Sequence, residues 1–413
     1  MFKSFHIENY KSLRNLHLDD CERFSVIIGA NAAGKSNFAD AIDFLSLIFR
    51  AGLHSAMRAK GGFNSIAFRR KRRTKASVNF HFTVEVQPHW PVGSEEVNVF
   101  DYRFELKATV DAIKSDFQVK KEFLSKSTRN NSSCVLQWSL ERNGKGIEIS
   151  PSPKSAKNRD INFLTRFTKD FSMPDDDLIV PSVIQNFPVA IELGRFMKSV
   201  RVFQISPTSA RGTGVPERFP EMGKRGENLP SAVDYLKRNQ SAEFDELVSL
   251  LSMAVPTITG LKTQYVETKQ LGLFFEEQGF GRPWYANEVS DGTIQTLCLF
   301  LPLLDERTNF ILIEEPENSI HPWALRHFVS YCQKKSNQKQ IVLTTHSISL
   351  LDQIEPGALI LAQREDGKTT MTKCMELYPE TLRIVNEELF KLGEYWDSGQ
   401  LGAVPSQIDL FEA

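Results

Sequence analysis

The sequence predicts an α/β protein in which a mostly parallel sheet is combined with an N-terminal antiparallel β layer and an inserted α/β lobe. Three observations support this prediction. Short apolar runs, such as 24–28 and 310–313, are typical of buried parallel strands. Stretches with a helical spacing of apolar residues separate such runs towards the C-terminus. The beginning of the chain instead alternates apolar and polar residues, as strands of an antiparallel layer do.

The N-terminal region supports both the antiparallel layer and the first central strand. Apolar residues alternate through 2–7 and 13–18 on either side of a polar turn, which predicts two antiparallel strands. The run 24–28 predicts a buried strand that ends at a glycine, and 37–49 has the apolar spacing of a helix. A strand, a glycine-bearing turn and a helix therefore follow one another here.

The middle of the chain is less regular. Strand-like patterns at 78–86, 102–110 and 135–140 are separated by polar stretches such as 125–133, which we interpret as loops. Further along, 230–253 predicts two helices that are broken near Gln240.

Strands and helices alternate more clearly towards the C-terminus. Helical patterns at 292–304 and after Pro322 flank apolar runs at 310–313 and 340–344, and a further strand is predicted at 358–362. This alternation is typical of a parallel sheet covered by helices.

These patterns predict three segments. Residues 1–110 form the N-terminal part of the main domain, 111–265 form an inserted β/helical lobe, and 266–413 form the C-terminal part of the main domain with a tail.

Composition excludes several classes of protein. The 413 residues are 41% apolar and 24% charged, which is the balance of a folded globular protein. Fifty basic and fifty-one acidic side chains give a net charge of −1, so the overall charge neither requires nor excludes nucleic acid. No apolar stretch approaches the roughly 18 residues of a membrane-spanning helix. The five cysteines form no CxxC pair. We expect a cytoplasmic protein with no membrane contact of its own.

The strongest motif is a complete G-x-x-x-x-G-K-S/T sequence between a predicted strand and a predicted helix. It comprises Gly29, Ala30, Asn31, Ala32, Ala33, Gly34, Lys35 and Ser36, and Asn37 follows it. Small residues let consecutive backbone N–H groups surround phosphates at a helix N-terminus, so the residues from Asn31 to Asn37 are candidates for nucleotide binding. Lys35 is expected to reach the β- and γ-phosphates, and Ser36 to bind Mg²⁺. An ordinary glycine turn would not explain the strand and helix around the motif.

Two acidic residues follow the apolar run 310–313. Ligands of parallel sheets bind at the carboxyl ends of the strands, so Glu314 and Glu315 are expected to face the phosphate-binding loop. We expect Glu314 to hold Mg²⁺, usually through water, and Glu315 to orient or deprotonate the attacking water. Acids after an apolar run are mostly structural when they occur alone, but the phosphate-binding loop favours the catalytic interpretation.

Two further turns carry candidate phosphate contacts. His346 follows the strand predicted at 340–344, where a histidine can hydrogen-bond the γ-phosphate. Ser290 and Gly292 precede a predicted helix, whose N-terminus is a potential anion site. Taken alone, the histidine could be structural and the serine an ordinary helix cap.

The order of these motifs resembles that of the ABC-type ATPases of the RecF/SMC/OLD superfamily. In that family the four motifs are the Walker A motif, the signature, the Walker B motif and the switch histidine. The resemblance implies an ABC-ATPase head that binds ATP and Mg²⁺, and a homodimer or higher oligomer in which two heads sandwich ATP. It also implies that Ser290 and Gly292 contact ATP held by another copy, and that 317–322 is the D-loop that contacts this copy.

Two departures from the common pattern suggest a branch of the superfamily. The signature at 289–293 has the sequence VSDGT where transporters have LSGGQ, and Walker B has Glu314 where aspartate is commoner. Both variants resemble the OLD-type and defence-associated branch, which disfavours a transport function. The Q-loop has two candidate positions, the region after Gly61 and Gly62 or Gln204.

OLD nucleases have a nuclease domain after the head. About fifty residues follow Ala362 in this sequence, which is too few for such a domain. We therefore expect any nuclease or toxin activity to belong to a separate effector protein.

One dense basic run gives a candidate nucleic-acid contact. It consists of Arg69, Arg70, Lys71, Arg72 and Arg73, followed by Lys75. Such runs can neutralise DNA or RNA phosphates, although a solvated loop or a docking site for an acidic partner explains the run equally simply.

The leading hypothesis is an ATP-hydrolysing, dimerising switch that acts as sensor or scaffold of a bacterial anti-phage defence system. The alternative is a DNA-repair or chromosome-associated ATPase that binds DNA directly. A switch that binds ATP but hardly hydrolyses it is disfavoured, because Glu315 and His346 are both present.

Overall fold

The computed structural model describes residues 1–68, 77–88, 96–109, 117–130, 133–143, 146–153, 162, 165–166, 190–267, 269–378 and 391–398. The chain forms two compact units. The first unit comprises Met1–Glu22, Ala32–Val200 and Ala362–Thr372, and the second comprises Arg23–Asn31, Arg201–Leu361 and Lys373–Ala413. The predicted basic run 69–73, with Lys75, lies outside the described residues.

An antiparallel sheet of seven strands makes up most of the first unit. Its strands are β1 (Phe2–Tyr10) and β2 (Leu13–Leu18) and then, after β3 (Phe24–Ile28) of the second unit, β4 (Val78–Val86), β5 (Val97–Ala108), β6 (Phe117–Arg129), β7 (Cys134–Asn143) and β8 (Gly146–Pro151). Their order across the sheet is β2-β1-β4-β5-β6-β7-β8. The predicted N-terminal antiparallel layer is therefore confirmed.

Aromatic side chains on one face of this sheet pack against a long helix. The helices of the first unit are α1 (Lys35–Ala51), α2 (Leu53–Ala59), α3 (Phe63–Ile66) and α4 (Ile191–Lys198). The ring centroids of Phe38 in α1 and Phe5 in β1 are 5.5 Å apart, and those of Phe44 in α1 and Phe80 in β4 are 5.7 Å apart. Because the apolar residues of α1 recur at helical spacing, one face of the helix covers the pleated face of the sheet.

Two strands of this sheet, β6 and β8, were not predicted, and part of β6 was expected to be a loop. The stretch 125–133 contains the end of β6, where Ser125 lies opposite Ser139 and Arg129 opposite Cys134 of β7. The apolar alternation fails in β6 because a charged residue, Glu122, occupies a buried position facing the core. β5 also begins earlier than the predicted strand 102–110, at Val97.

A largely parallel sheet forms the centre of the second unit. The remaining strands of the chain are β9 (Val200–Phe203), β10 (Ile258–Tyr265), β11 (Leu271–Glu277), β12 (Trp284–Tyr285), β13 (Phe310–Glu314), β14 (Gln340–Thr345), β15 (Leu359–Glu365) and β16 (Lys368–Lys373). The central order is β15-β3-β14-β13-β9, and β3 runs parallel to both β14 and β15. Every residue of β13 and β14 is buried, as expected for strands covered on both faces.

Helices cover this sheet, and a small antiparallel sheet, β10-β11-β12, stands beside them. The helices are α5 (Pro207–Ala210), α6 (Leu229–Asn239), α7 (Ser241–Ala254), α8 (Asp291–Leu304), α9 (Pro322–Lys335), α10 (Ile348–Leu351), a 3₁₀ turn (Pro356–Ala358), α11 (Cys374–Leu377) and α12 (Leu392–Asp397). α8 is buried from Thr293 to Leu304 and contributes much of the core. The predicted break near Gln240 separates α6 from α7.

The compact units do not follow the predicted segments. The expected boundary at 110 falls between β5 and β6, which pair along their length, and 201–265 belong to the second unit. The division into 1–110, 111–265 and 266–413 stays a prediction about domains, and the compact units divide the same chain differently.

Candidate nucleotide-binding site

The start of α1 has the backbone geometry of an anion-binding turn. The residue before the helix, Gly34, has φ 105°, and Ala32 has φ 65°. No side chain caps this helix, so its N-terminus keeps the positive end of the helix dipole for a ligand. Lys35 is buried, whereas the Ser36 side chain is exposed. These residues fit a phosphate group, which takes N–H donors and a cation rather than carboxylates.

A series of hydrogen bonds within the first unit, made by side-chain hydroxyl and amide groups, holds this turn in place. The Thr369 hydroxyl donates to the Ala33 carbonyl at 2.9 Å and lies 2.7 Å from the Ser12 hydroxyl oxygen. Asn37 donates its side-chain amide to the same Ser12 oxygen at 2.6 Å. Because the hydroxyl hydrogen of Thr369 is used at Ala33, Ser12 must donate to Thr369. The hydrogen-bond direction is therefore fixed from Asn37 to the loop carbonyl.

The tight packing against Thr369 requires a glycine at position 34. A Cβ atom at Gly34 would lie 2.0 Å from the Thr369 hydroxyl oxygen, and its positive φ is also unfavourable for any other residue. Arg364 adds a second support, since its guanidinium donates to the Ala32 carbonyl at 3.2 Å. Sequence reasoning did not identify Thr369 or Arg364, because no motif marks a residue that acts through a distant loop.

In the second unit, three parallel strands end at the same edge of the sheet. Ile28 of β3 lies opposite Thr345 of β14, and Thr344 lies opposite Glu314 of β13. The phosphate-binding loop begins directly after Ile28, at Gly29, and His346 directly follows Thr345. The start of the loop, the acidic pair and the histidine thus all follow neighbouring strand ends, where ligands of α/β sheets bind.

The two acidic residues differ in environment. Glu314 is buried at the end of β13, and the Lys224 ammonium lies 3.8 Å from its Oε1 atom. Glu315 has φ 48°, which turns the chain out of the strand, and its N–H still donates to the Thr344 carbonyl at 2.9 Å. Its side chain is 36% exposed. The carboxylate oxygens of Glu314 are of the type that binds Mg²⁺, and the accessible carboxylate of Glu315 suits contact with water.

His346 lies beside Glu315. Its Nδ1 atom is 3.5 Å from Oε1 of Glu315 and 3.8 Å from Oε1 of Glu317, and the ring is 45% exposed. Asn318 donates to the other Glu315 oxygen at 3.0 Å. The imidazole and the carboxylate are thus within ion-pair distance at the exposed surface, an arrangement that can act on one water molecule or phosphate together.

The predicted signature forms the start of α8. Ser290 is the N-cap residue, and its hydroxyl oxygen accepts the Thr293 N–H at 3.2 Å. A Cβ atom at Gly292 would lie 3.1 Å from the Ser319 carbonyl oxygen, so the signature packs closely against the predicted D-loop, 317–322. Ser290, Asn318 and Ser319 are all exposed. Ser290 is therefore a helix-cap residue that is exposed at the surface.

Arg211, at the C-terminal end of α5, stabilises the signature, and no sequence motif predicted this role. Its guanidinium donates to the carbonyls of Ala286, at 3.1 Å, and Val289, at 2.6 Å, and forms an ion pair with Asp291. Three bonds to the turn before α8 fix the position of Ser290.

The two Q-loop candidates lie in different compact units. Gln204 follows β9, the neighbour of β13, and its N–H donates to the carbonyl of Lys224, whose ammonium approaches Glu314. Gly61 and Gly62 join α2 to α3 in the first unit. Both positions stay candidates for the Q-loop.

A loop with phosphate-binding geometry between β3 and α1, together with acids and a histidine at the edge of the same parallel sheet, defines an ABC-type P-loop ATPase domain of the RecF/SMC type. A family model described as "AAA domain, putative AbiEii toxin, Type IV TA system" matches residues 24–352. The chain belongs to this family.

Comparison with solved structures gives similar SMC heads. An Smc head bound to the C-winged helix domain of ScpA has a TM-score of 0.46 and 14% identity, over 90% of this chain and 97% of that chain. The SMC head domain from Thermotoga maritima has a TM-score of 0.41 and 13% identity, over 90% of this chain and 98% of that chain. The third structure is an Smc head domain with an extended coiled coil, bound to the C-terminal domain of ScpA derived from Pyrococcus furiosus. Its TM-score is 0.43 and its sequence identity 12%, over 92% of this chain and 99% of that chain. Similarity at this level does not define a function.

Comparison with curated proteins gives no match. Among the described helices, none combines the length and apolar character that crossing a membrane requires.

Proposed function

We propose that this protein binds ATP with Mg²⁺ and hydrolyses it, and that two copies together complete each site. The observation that carries the proposal is the accessible Glu315 and His346 pair beside the buried Glu314, at the sheet edge where the phosphate-binding loop begins. In this proposal Glu315 orients or deprotonates the attacking water, and His346 contacts the γ-phosphate.

The loop and the acidic strand supply the nucleotide and metal contacts. Residues Asn31 to Asn37 surround the phosphates with N–H groups, Lys35 approaches the β- and γ-phosphates, and Ser36 and Glu314 hold Mg²⁺. When bound, the metal neutralises charge that develops on the phosphate oxygens. The series of hydrogen bonds from Asn37 to Thr369 keeps the loop in its binding conformation.

The exposed signature supports a site that is completed by a second copy. Ser290 and the D-loop residues Asn318 and Ser319 lie together at the surface, and the Gly292 backbone packs against Ser319. In the dimer, Ser290 and the N–H groups at the start of α8 approach the γ-phosphate held by the other copy. The proposed oligomer is a homodimer, or a higher assembly built from such pairs.

Phosphate release from Mg²⁺-ATP tests the enzymatic proposal. We expect turnover by the purified protein, loss of turnover with retained ATP binding in Glu315→Gln, and loss of ATP binding in Lys35→Ala. Because Lys35 is buried, thermal unfolding of Lys35→Ala shows whether that variant is still folded. Undiminished turnover in Glu315→Gln would contradict the assignment of the base.

The biological role that we propose is a sensor or scaffold in a bacterial anti-phage defence system, working with a separate effector. Its support is the family description, which names a toxin and a toxin–antitoxin system. Co-purification with the product of a neighbouring gene, and loss of phage resistance in Glu315→Gln, would support this role. Resistance that persists in Glu315→Gln and Lys35→Ala would contradict it.

Direct DNA binding is the alternative role. The basic run 69–73 motivates it, since five consecutive cations can neutralise several phosphates. Salt-dependent DNA binding that Arg70→Glu and Arg72→Glu abolish would favour this alternative. Binding that is unchanged in both variants, or absent from the wild type, would exclude a role for the run.

A further inference from the structure

Among the polar residues at the start of the D-loop, Glu317 differs from Asn318 and Ser319 in the direction of its side chain. Asn318 and Ser319 are exposed, whereas the Glu317 side chain is only 11% exposed and points towards the end of β14. Its Oε1 atom accepts the Thr345 hydroxyl at 2.7 Å and the His346 N–H at 3.2 Å. It is therefore bonded to the turn that carries the histidine, within its own chain.

These bonds fix the turn that follows β14. The Thr345 hydroxyl, which donates to Glu317, also accepts the Ser347 N–H at 2.9 Å. Glu317 is thus linked directly to Thr345 and His346 and indirectly to Ser347. Charge-assisted hydrogen bonds of this kind are among the stronger ones in proteins, and they restrict how His346 can move.

The other carboxylate oxygen of Glu317 shows that the residue does not serve packing alone. Oε2 is buried and has no hydrogen-bond partner among the described residues. Leaving such an oxygen unpaired costs free energy. An apolar residue would avoid this cost, but it would leave the Thr345 and His346 donors without their acceptor.

We infer that Glu317 is a positioning residue, which holds the turn 345–347 so that the His346 imidazole stays beside Glu315. The inference rests on the proposed ATPase function. It assigns to Glu317 a task inside its own site, in addition to the place in a dimer-contacting D-loop that the sequence suggested.

Steady-state kinetics of two substitutions test this inference. Glu317→Ala removes the acceptor, and we expect kcat to fall on the order of 10- to 100-fold with little change in the KM for ATP, because the phosphate-binding loop is untouched. Glu317→Gln keeps one oxygen that can accept both bonds, and we expect it to retain most of the activity. Glu306→Ala is a matched control, since Glu306 is exposed and lies before β13, away from the acidic pair.

Other results would overturn the inference. Wild-type kcat in Glu317→Ala would show that the turn does not need Glu317. Equal losses in Glu317→Gln and Glu317→Ala would mean that the charge acts on the reaction itself. A double variant with Thr345→Val should be no slower than Glu317→Ala, because both changes release the same turn, and additive losses would count against a shared turn.

A spectroscopic measurement separates this inference from the ATPase proposal. In protein with labelled histidine, the signal absent from His346→Gln identifies His346 among the eight histidines. We expect that signal to shift in Glu317→Ala and to stay close to its wild-type position in Glu317→Gln and Glu306→Ala. An unchanged signal in Glu317→Ala would overturn the inference even if the protein hydrolyses ATP. A shift in protein that lacks turnover would support it while the ATPase proposal fails.

Discussion

Both the backbone conformation and the packing around Gly34 require a glycine at this position. Its φ of 105° lies in the region that favours glycine, and Thr369 occupies the space that a side chain would need. Thr369 in turn bonds to the Ala33 carbonyl and to Ser12. The conformation of the phosphate-binding loop therefore depends on residues from three distant parts of the sequence.

Gly34→Ala is expected to weaken ATP binding by about tenfold or more. The alanine would be strained at this positive φ and its Cβ atom would collide with Thr369, so the start of α1 would have to shift. Isothermal titration with ATP and Mg²⁺ measures the effect. Gly357→Ala is the matched control, since Gly357 has open space around its Cα atom and no positive φ. Wild-type affinity in Gly34→Ala would show that the loop tolerates a shift at this position.

At the residue scale, the sequence predicted which motifs exist but not which residues support them. The glycine-lysine-serine loop and the two glutamates follow from local spacing, because each motif is continuous in the chain. Thr369, Arg364 and Arg211 act on backbone carbonyls that lie far from them in sequence. No local pattern encodes such contacts, so only the folded structure identifies them.

At the scale of elements, β6 shows why the antiparallel sheet was only partly predicted. Its buried Glu122 accepts the Tyr102 hydroxyl at 2.5 Å and lies 3.4 Å from the Arg142 guanidinium, with both charged side chains fully buried. Burial, together with the charge of Glu122, raises the pKa of Tyr102 well above its ordinary value. A charged pair in the core breaks the apolar alternation from which strands are predicted, whereas β13 and β14 have no such interruption.

Arg142→Ala is expected to destabilise the first unit by about 3–5 kcal/mol, because it removes the guanidinium that compensates the buried charge of Glu122. Urea unfolding, followed by circular dichroism, measures the change in the free energy of unfolding. Arg103→Ala on the neighbouring strand is the control, since Arg103 is 57% exposed in its ion pair with Asp101. A similar, small loss in both variants would contradict a structural role for the buried pair.

At the scale of the whole molecule, the central proposal is that ATP binding causes two copies of the chain to dimerise. The phosphate-binding loop and the signature belong to the same chain, and Ser290 is exposed together with the D-loop residues Asn318 and Ser319. An ATP-dependent dimer should therefore form when hydrolysis is blocked and dissociate when it proceeds.

Glu315→Gln is expected to form a stable dimer in ATP and Mg²⁺ and to be monomeric, or less associated, without nucleotide. Removing the base leaves the phosphate contacts in place, so the ATP-bound state accumulates. Light scattering coupled to size-exclusion chromatography measures the mass in both conditions. The double variant Lys35→Ala, Glu315→Gln should not respond to ATP, and a response in that protein would mean that association does not depend on this nucleotide site.

Complementation between two inactive variants tests the composite site most directly. Lys35→Ala lacks a working phosphate-binding loop and Ser290→Arg lacks a working signature, so we expect each protein alone to be inactive in ATP hydrolysis. In an equimolar mixture, mixed dimers contain one site with an intact loop from one copy and an intact signature from the other. We expect recovery to about a quarter of the wild-type rate with random pairing. No recovery in a mixture shown to contain mixed dimers would contradict a site completed by two copies.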